Sequence, residues 1–134
     1  MNADRTIPHL QIKTDYEFFL LDELRMEVID VDAHIRKVYV PMTETGFYIL
    51  CCLKEPNHGY GIVQKVKDMT NEEIVLAPGT LYGSLSKMEK DKLIVFVREE
   101  DKRKLYQITE LGLEVLELEF KRIQRLYETM NEMR

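Results

Sequence analysis

Hydrophobic periodicity changes between helical and alternating spacing from residue 41 to residue 108, and this order of elements constrains the fold more than any other feature. Turn-forming residues separate the periodic runs, so each element is short and must pack against its neighbours. The elements predicted are a helix over Thr43–Leu53, a helix ending near Met69, a strand over Ile74–Leu76, a helix over Gly79–Asp91, and a hairpin with strands Leu93–Arg98 and Lys104–Ile108.

The C-terminal segment, residues 110–134, carries one narrow apolar stripe. Thr109 can cap a helix in which apolar residues recur at the spacing of a coiled-coil seam. A seam this narrow indicates a partner helix, so we expect a homodimer. The seam residues are Leu113, Leu116, Phe120, Ile123, Tyr127 and Met130. The predicted fold class is mainly α with a small β-hairpin (α+β), a winged helix-turn-helix with a C-terminal dimerisation helix.

Three parts of the chain are predicted from these elements. Residues 1–37 form an N-terminal extension, residues 38–109 a winged helix-turn-helix domain, and residues 110–134 the dimerisation helix. The extension can be helical, because its apolar residues recur on one helical stripe, although the alternating run Val28–Asp32 suits a strand as well. The stripe consists of Leu21, Leu24, Val28, Val31 and Ile35.

Composition narrows the class of protein further. The apolar runs are much shorter than the roughly 18 residues that cross a bilayer, and the N-terminus has no signal-peptide pattern, so we expect a cytoplasmic protein without a membrane partner. Cys51 and Cys52 are adjacent and sit in an apolar run, which indicates core packing rather than a disulfide or a metal site. Motifs for phosphate loops or activated nucleophiles are missing, so we expect neither enzyme activity nor a cofactor.

The formal net charge of −5 argues at first against nucleic acid as a partner, because Lys and Arg drive phosphate binding. The acid excess lies outside residues 41–109, where ten Lys and Arg balance ten Asp and Glu. Basic residues gather over residues 87–92 and 98–104, where they can form a local basic surface on a neutral domain.

The third predicted helix has an outward surface that is small, polar and basic. Its apolar residues Leu81, Leu85 and Met88 face inward at helical spacing. Short side chains allow close approach to a DNA groove, and hydroxyl or ammonium donors reach bases and phosphates. An ordinary solvated helix face fits the same pattern. The outward residues are Thr80, Gly83, Ser84, Ser86, Lys87 and, at the flank, Tyr82.

Two further groups are candidates for contact with phosphates. The hydroxyls of Tyr60 and Tyr82 can bond phosphates, although half-buried packing is the alternative. The hairpin tip suits a wing lying along DNA, but residues 99–101 are acidic and leave a solvated turn as the alternative. We expect His58 to be a structural turn residue. The basic tip consists of Lys102, Arg103 and Lys104.

From Val40 to about Glu119 the sequence resembles the PadR family, especially its short-tailed members with a single C-terminal helix. The matching stretches are Asn57–Ile62, Pro78–Tyr82, Leu85–Glu89 with Leu93 and Ile94, and Arg103–Gly112. The resemblance implies a bacterial DNA-binding repressor whose third helix enters the major groove, whose wing follows the backbone and whose last helix dimerises. Residues 1–37 fall outside it.

A two-fold dimer would present two third helices to successive major grooves, so we expect an inverted-repeat operator. As in some relatives, a small aromatic effector could release the protein from it. Phe120, Tyr127 and Met130 could line a pocket for such an effector at the dimer interface, although core packing is the better explanation of these residues. A second class of function stays open at this point. A winged-helix module that binds another protein, without binding DNA, would account for the acidic overall charge.

Overall fold

The computed structural model describes residues 31–134. In this part the chain forms five helices and one antiparallel hairpin. The order of elements confirms the predicted α+β winged helix-turn-helix, with most boundaries shifted by only one or two residues. The elements are α1 (Ala33–Tyr39), α2 (Glu44–Cys52), α3 (Gly59–Met69), α4 (Pro78–Lys90), β1 (Ile94–Glu100), β2 (Arg103–Ile108) and α5 (Glu110–Met133).

Local chemistry sets where these helices begin. The Thr43 hydroxyl accepts the Gly46 N–H (3.1 Å) and so caps α2, as the sequence predicts. The Thr109 hydroxyl caps α5 in the same way by accepting the Gly112 N–H (3.1 Å). Helix α4 has no side-chain cap and begins instead at Pro78, whose fixed φ suits the first helical position and whose missing N–H costs nothing there.

The core lies between α2, α3, α4 and the first half of α5, and the start of β1 closes it. Leu81, Leu85 and Met88, which the sequence predicts to face inward from the third helix, are all buried. The predicted inward side of α4 is therefore confirmed. The most deeply buried apolar side chains are Ile49, Leu50, Leu53, Ile62, Val66, Leu81, Leu93, Ile94, Val115 and Leu116.

Helix α1 differs from the continuous helical stripe predicted for the N-terminal extension. Leu21, Leu24 and Val28 lie outside the described residues, but the predicted continuity from Val31 to Ile35 is wrong. Asp32 lies outside helical geometry (φ −45°, ψ 133°), and its carboxylate accepts the His34 N–H (2.7 Å), so a new helix starts at Ala33. Ile35 and Tyr39 of α1 are buried in the core, and the predicted domain boundary at residue 38 falls inside this helix.

The strand predicted over Ile74–Leu76 is wrong, because these residues have no regular secondary structure. Asn57 pairs with Tyr106 of β2 instead, through two backbone hydrogen bonds of 3.0 and 2.8 Å. Leu76 is nevertheless buried and Ile74 packs partly against the core, whereas Val75 is exposed.

The hairpin turn is tighter than the charged turn predicted over residues 99–103. Glu100 pairs directly with Arg103, which leaves Asp101 and Lys102 as a two-residue turn. Both have positive φ (50° and 64°), as hairpin turns that match the strand twist require. The two strands therefore extend almost to the tip and carry its charges on a defined scaffold.

Helix α5 spans 24 residues, and its two halves have different surroundings. Val115, Leu116 and Glu119 in its first half are buried, whereas every residue from Ile123 onward is exposed. None of the helices between residues 31 and 134 combines the length and hydropathy that a membrane crossing needs.

Candidate nucleic-acid interface

The turn before α3 is built from contacts that explain its residues one by one. Asn57 ties the turn to β2, and its side-chain oxygen accepts the His58 N–H (2.8 Å). A Cβ at Gly61 would lie 2.1 Å from that oxygen, so this position has no room for a side chain. His58 caps α3, because its Nδ1 accepts the Gly61 N–H (3.1 Å). The start of α3 is thereby fixed against the base of the wing.

Two tyrosines lie beside this turn with more than half of their surface exposed. Tyr82 of α4 reaches the start of α3, where a Cβ at Gly59 would lie 2.6 Å from its hydroxyl oxygen. Tyr60 projects from α3 and carries the Arg103 guanidinium over its ring, 5.4 Å from the centroid. The exposed fractions are 58% for Tyr60 and 56% for Tyr82.

These elements enclose a cleft of about 440 Å³ between the start of α3, α4 and β2. Within the described part of the chain, its lining contains three cations and no carboxylate. Glu100, which lies opposite Arg103 in the hairpin, is engaged by Arg98 on its own strand. The lining of the cleft therefore carries net positive charge. Six of the predicted DNA-binding residues line the cleft: Tyr60, Tyr82, Ser86, Lys102, Arg103 and Lys104. The other lining residues are His58, Gly59, Leu85 and Tyr106.

The remaining predicted residues of α4 lie next to the cleft rather than in it. Thr80 and Gly83 are exposed, and Ser84 is half-buried. Ser84 and Lys87 border a second cavity of about 210 Å³, which also touches α1 through Val38 and α2 through Gly46. The exposed face of α4 and the cleft thus form two adjoining parts of one surface.

Lys87 is restrained by partners that the sequence did not suggest. Its Nζ lies 3.4 Å from Asp91 Oδ2 and 5.3 Å from the centre of the Tyr39 ring. The Tyr39 hydroxyl donates to the same Asp91 oxygen (2.7 Å). Burial, followed by this bond to a carboxylate, raises the pKa of Tyr39 well above its usual value, and the same bond lowers the pKa of Asp91. The last turn of α4 is consequently tied to α1.

The predicted seam of α5 divides into an inner and an outer half. Leu116 is buried in the core of its own chain, and Leu113 packs against that core. Phe120 packs edge to face on Phe47, with ring centroids 5.8 Å apart. Ile123, Tyr127 and Met130 are exposed, as are Leu126 and Met133 on the same side, which the seam pattern missed. Phe120, one of the three residues predicted to line a pocket for an aromatic effector, packs against the core of its own chain. The pocket stays a prediction.

Glu119 is a buried carboxylate that sequence reasoning missed. It accepts hydrogen bonds from the Met42 N–H (3.1 Å) and from Arg122 Nε (2.8 Å). The only signal in the sequence is the spacing of three residues between Glu119 and Arg122, which places both on one side of a helix. The pair joins α5 to the segment between α1 and α2.

Residues 31–134 bring together no group of three or more His, Cys, Asp or Glu side chains with the geometry of a metal site. Cys51 and Cys52 lie in α2, where burial is the main cause that raises the pKa of Cys51 to about 11. A thiol with that pKa remains protonated at neutral pH and is a poor nucleophile.

The helices, the paired hairpin and the cationic cleft define a winged helix-turn-helix protein. The model of the "Transcriptional regulator PadR-like family" matches residues 49–118, just over half of the chain. The chain therefore belongs to the PadR-like family of transcriptional regulators.

Known proteins support the same assignment. The chain is similar to a PadR family transcription regulator from Clostridium difficile R20291, with 27% identity, 68% of this chain and 98% of that chain covered, and a TM-score of 0.60. It is 28% identical over 64 residues to the Escherichia coli transcriptional regulator YqjI, covering 48% of this chain and 31% of that protein. A 37.1 kDa protein in a Streptomyces fradiae transposon is 33% identical over 79 residues, covering 58% of this chain. The chain spans about a third or less of these two relatives, since only 22% of the transposon protein is matched.

Proposed function

We propose that this chain is a DNA-binding transcriptional repressor, without enzyme activity, that acts as a homodimer on an inverted-repeat operator. One observation carries the proposal. The cleft presents three cations and no carboxylate from the described chain, and it adjoins the exposed face of α4. Phosphates need such cations, and a recognition helix beside them can reach base edges in the major groove. The family assignment supports the same role.

The glycines of α4 give independent support. At Gly46, Gly59, Gly61 and Gly112 an added Cβ would lie 3.0 Å or less from another atom of the chain. At Gly79 and Gly83, by contrast, a Cβ would meet no described atom within 4 Å. A glycine inside an exposed helix costs about 1 kcal/mol relative to alanine. Close approach of a DNA groove to the α4 backbone would explain why that cost is tolerated.

The second half of α5 supports the dimer. Its exposed apolar residues lie on one side of the helix, and no part of the described chain buries them. A second copy packed along this side would cover both stripes by two-fold symmetry. Two α4 helices would then face successive major grooves about 34 Å apart, which requires an operator with inverted half-sites. In this proposal residues 38–109 bind DNA and residues 110–134 dimerise.

The proposal is tested by footprinting the protein on DNA from upstream of its own gene. We expect protection of an inverted repeat whose half-sites lie about one helical turn apart. Lys102→Gln and Arg103→Gln should weaken binding to operator and random duplex alike, whereas Ser84→Ala and Ser86→Ala should chiefly reduce the preference for operator. Lys65→Gln, a cation of α3 outside the cleft, is the matched control and should bind as wild type does.

The contradicting result is equally specific. If the wild-type chain protects no site and binds operator and random duplex no better than the Arg103→Gln variant does, the cleft does not bind DNA. A winged-helix module that binds another protein would then be the better account.

A further inference from the structure

His58 has one ring nitrogen engaged inside the protein and one turned toward the cleft. Its Nδ1 accepts the Gly61 N–H (3.1 Å), which is possible only if Nδ1 carries no proton. The neutral ring therefore carries its proton on Nε2. The cap of α3 thus fixes the tautomer of His58 and makes Nε2 a hydrogen-bond donor.

That donor faces a second donor. His58 Nε2 lies 3.5 Å from an Nη atom of Arg103, and a guanidinium has no acceptor atom. Two N–H groups cannot satisfy each other, but one acceptor placed between them can accept a hydrogen bond from both. The cleft lining described above contains no carboxylate that could supply it.

We propose that His58 and Arg103 together hold one non-bridging phosphate oxygen of the DNA backbone. This inference rests on the proposed function, since it names the group that the cleft recognises at its inner end. The arginine supplies charge, and the histidine supplies a neutral donor in a fixed direction. His58 is thus a DNA-contacting residue as well as the cap of α3.

Cap exchange separates the two roles of His58. Asn and Ser are strong N-cap residues, so His58→Asn and His58→Ser keep the cap but remove the Nε2 donor. His58→Ala removes both. The probe is a 30-bp duplex of random sequence, because a backbone contact does not depend on the bases. We expect the Asn and Ser variants to melt within a few degrees of wild type and to bind the duplex about five- to tenfold more weakly.

Arg103→Gln provides the coupling test. If both residues hold the same oxygen, His58→Asn should cost less than about twofold in the Arg103→Gln background, because the shared contact is already broken. The salt dependence distinguishes the two contributions. Arg103→Gln should make the slope of log affinity against log salt shallower by about one per subunit, whereas His58→Asn should leave it unchanged.

The outcomes separate this inference from the proposed function. Folded Asn and Ser variants that bind the duplex as tightly as wild type would show that His58 only caps α3, which overturns the inference and leaves the proposed function intact. Full additivity with Arg103→Gln would also overturn it. A wild-type chain that binds no duplex at all would overturn both.

Discussion

Tyr60, Tyr82 and His58 show what the sequence predicts at the scale of single residues and what it does not. They belong to two separate stretches that match the family, Asn57–Ile62 and Pro78–Tyr82, and the structure brings them to one cleft. Both tyrosines keep somewhat more than half of their surface exposed, and their contact with phosphates stays a prediction. The donor direction of His58 could not be predicted, because it depends on which ring nitrogen accepts the Gly61 N–H.

Substitution at two helical glycines should have effects of opposite sign. A Cβ at Gly112 would lie 2.3 Å from the Leu93 backbone oxygen, and backbone cannot move aside cheaply. Gly112→Ala should therefore lower the free energy of unfolding by about 2 to 3 kcal/mol. Gly83→Ala meets open space and should raise it by about 0.5 to 1 kcal/mol through helix propensity. Urea unfolding of both variants measures these changes.

Gly83→Ala also provides a check on function. If the α4 backbone approaches DNA closely, the stabilised variant should bind its operator more weakly than wild type does. A Gly83→Ala variant that is more stable and binds operator equally well would contradict close approach at this position.

At the scale of elements, the helices were the predictable part. α2, α3, α4 and α5 begin and end within one or two residues of the predicted positions, because periodicity and capping residues coincide there. The strand at Ile74–Leu76 failed because a short apolar run does not show whether a neighbouring strand is there to pair with. The start of α1 was missed because a local contact of Asp32 interrupts an otherwise helical stripe.

The tie between α1 and α4 gives a prediction that depends on pH. Tyr39→Phe removes the hydroxyl that donates to Asp91 but keeps the aromatic ring beneath Lys87. This substitution should lower the free energy of unfolding by about 1 kcal/mol at pH 7. Because the bond lowers the pKa of Asp91, its contribution is present above the usual Asp pKa of about 3.9 and is lost as the pH falls below that value.

The measurement is urea unfolding of wild type and Tyr39→Phe between pH 7 and pH 3. The difference between them should shrink at the acid end. A difference that stays constant across this range would show that the hydroxyl does not act through the Asp91 carboxylate.

At the scale of the whole molecule, the C-terminal seam illustrates the limit of periodicity. The spacing correctly placed six apolar residues along α5, but it could not show which surface covers them. Leu116 belongs to the core, and Phe120 packs on Phe47, so a charge at either position would test folding rather than assembly. The outer half of the helix is the part free to meet a second copy.

Assembly is tested by charges on that outer half. Ile123→Lys combined with Tyr127→Lys should convert a dimer into a folded monomer, because the charges would be buried unpaired in the interface. Glu128→Lys, which reverses a charge on the opposite side of the same helix, is the control and should remain dimeric. Light scattering at micromolar concentration gives the mass. A wild-type chain that is already monomeric there would refute the dimer.

The most direct test of the central claim is the salt dependence of binding to the operator duplex. Lys102, Arg103 and Lys104 line the cleft, whereas Lys87 is held by Asp91, so each subunit should neutralise about three phosphates and a dimer about six. Log affinity should then fall against log salt with a slope of about −5, steepening toward −7 if DNA draws Lys87 away from Asp91. A slope shallower than about −2 would contradict recognition of DNA by the cleft and wing.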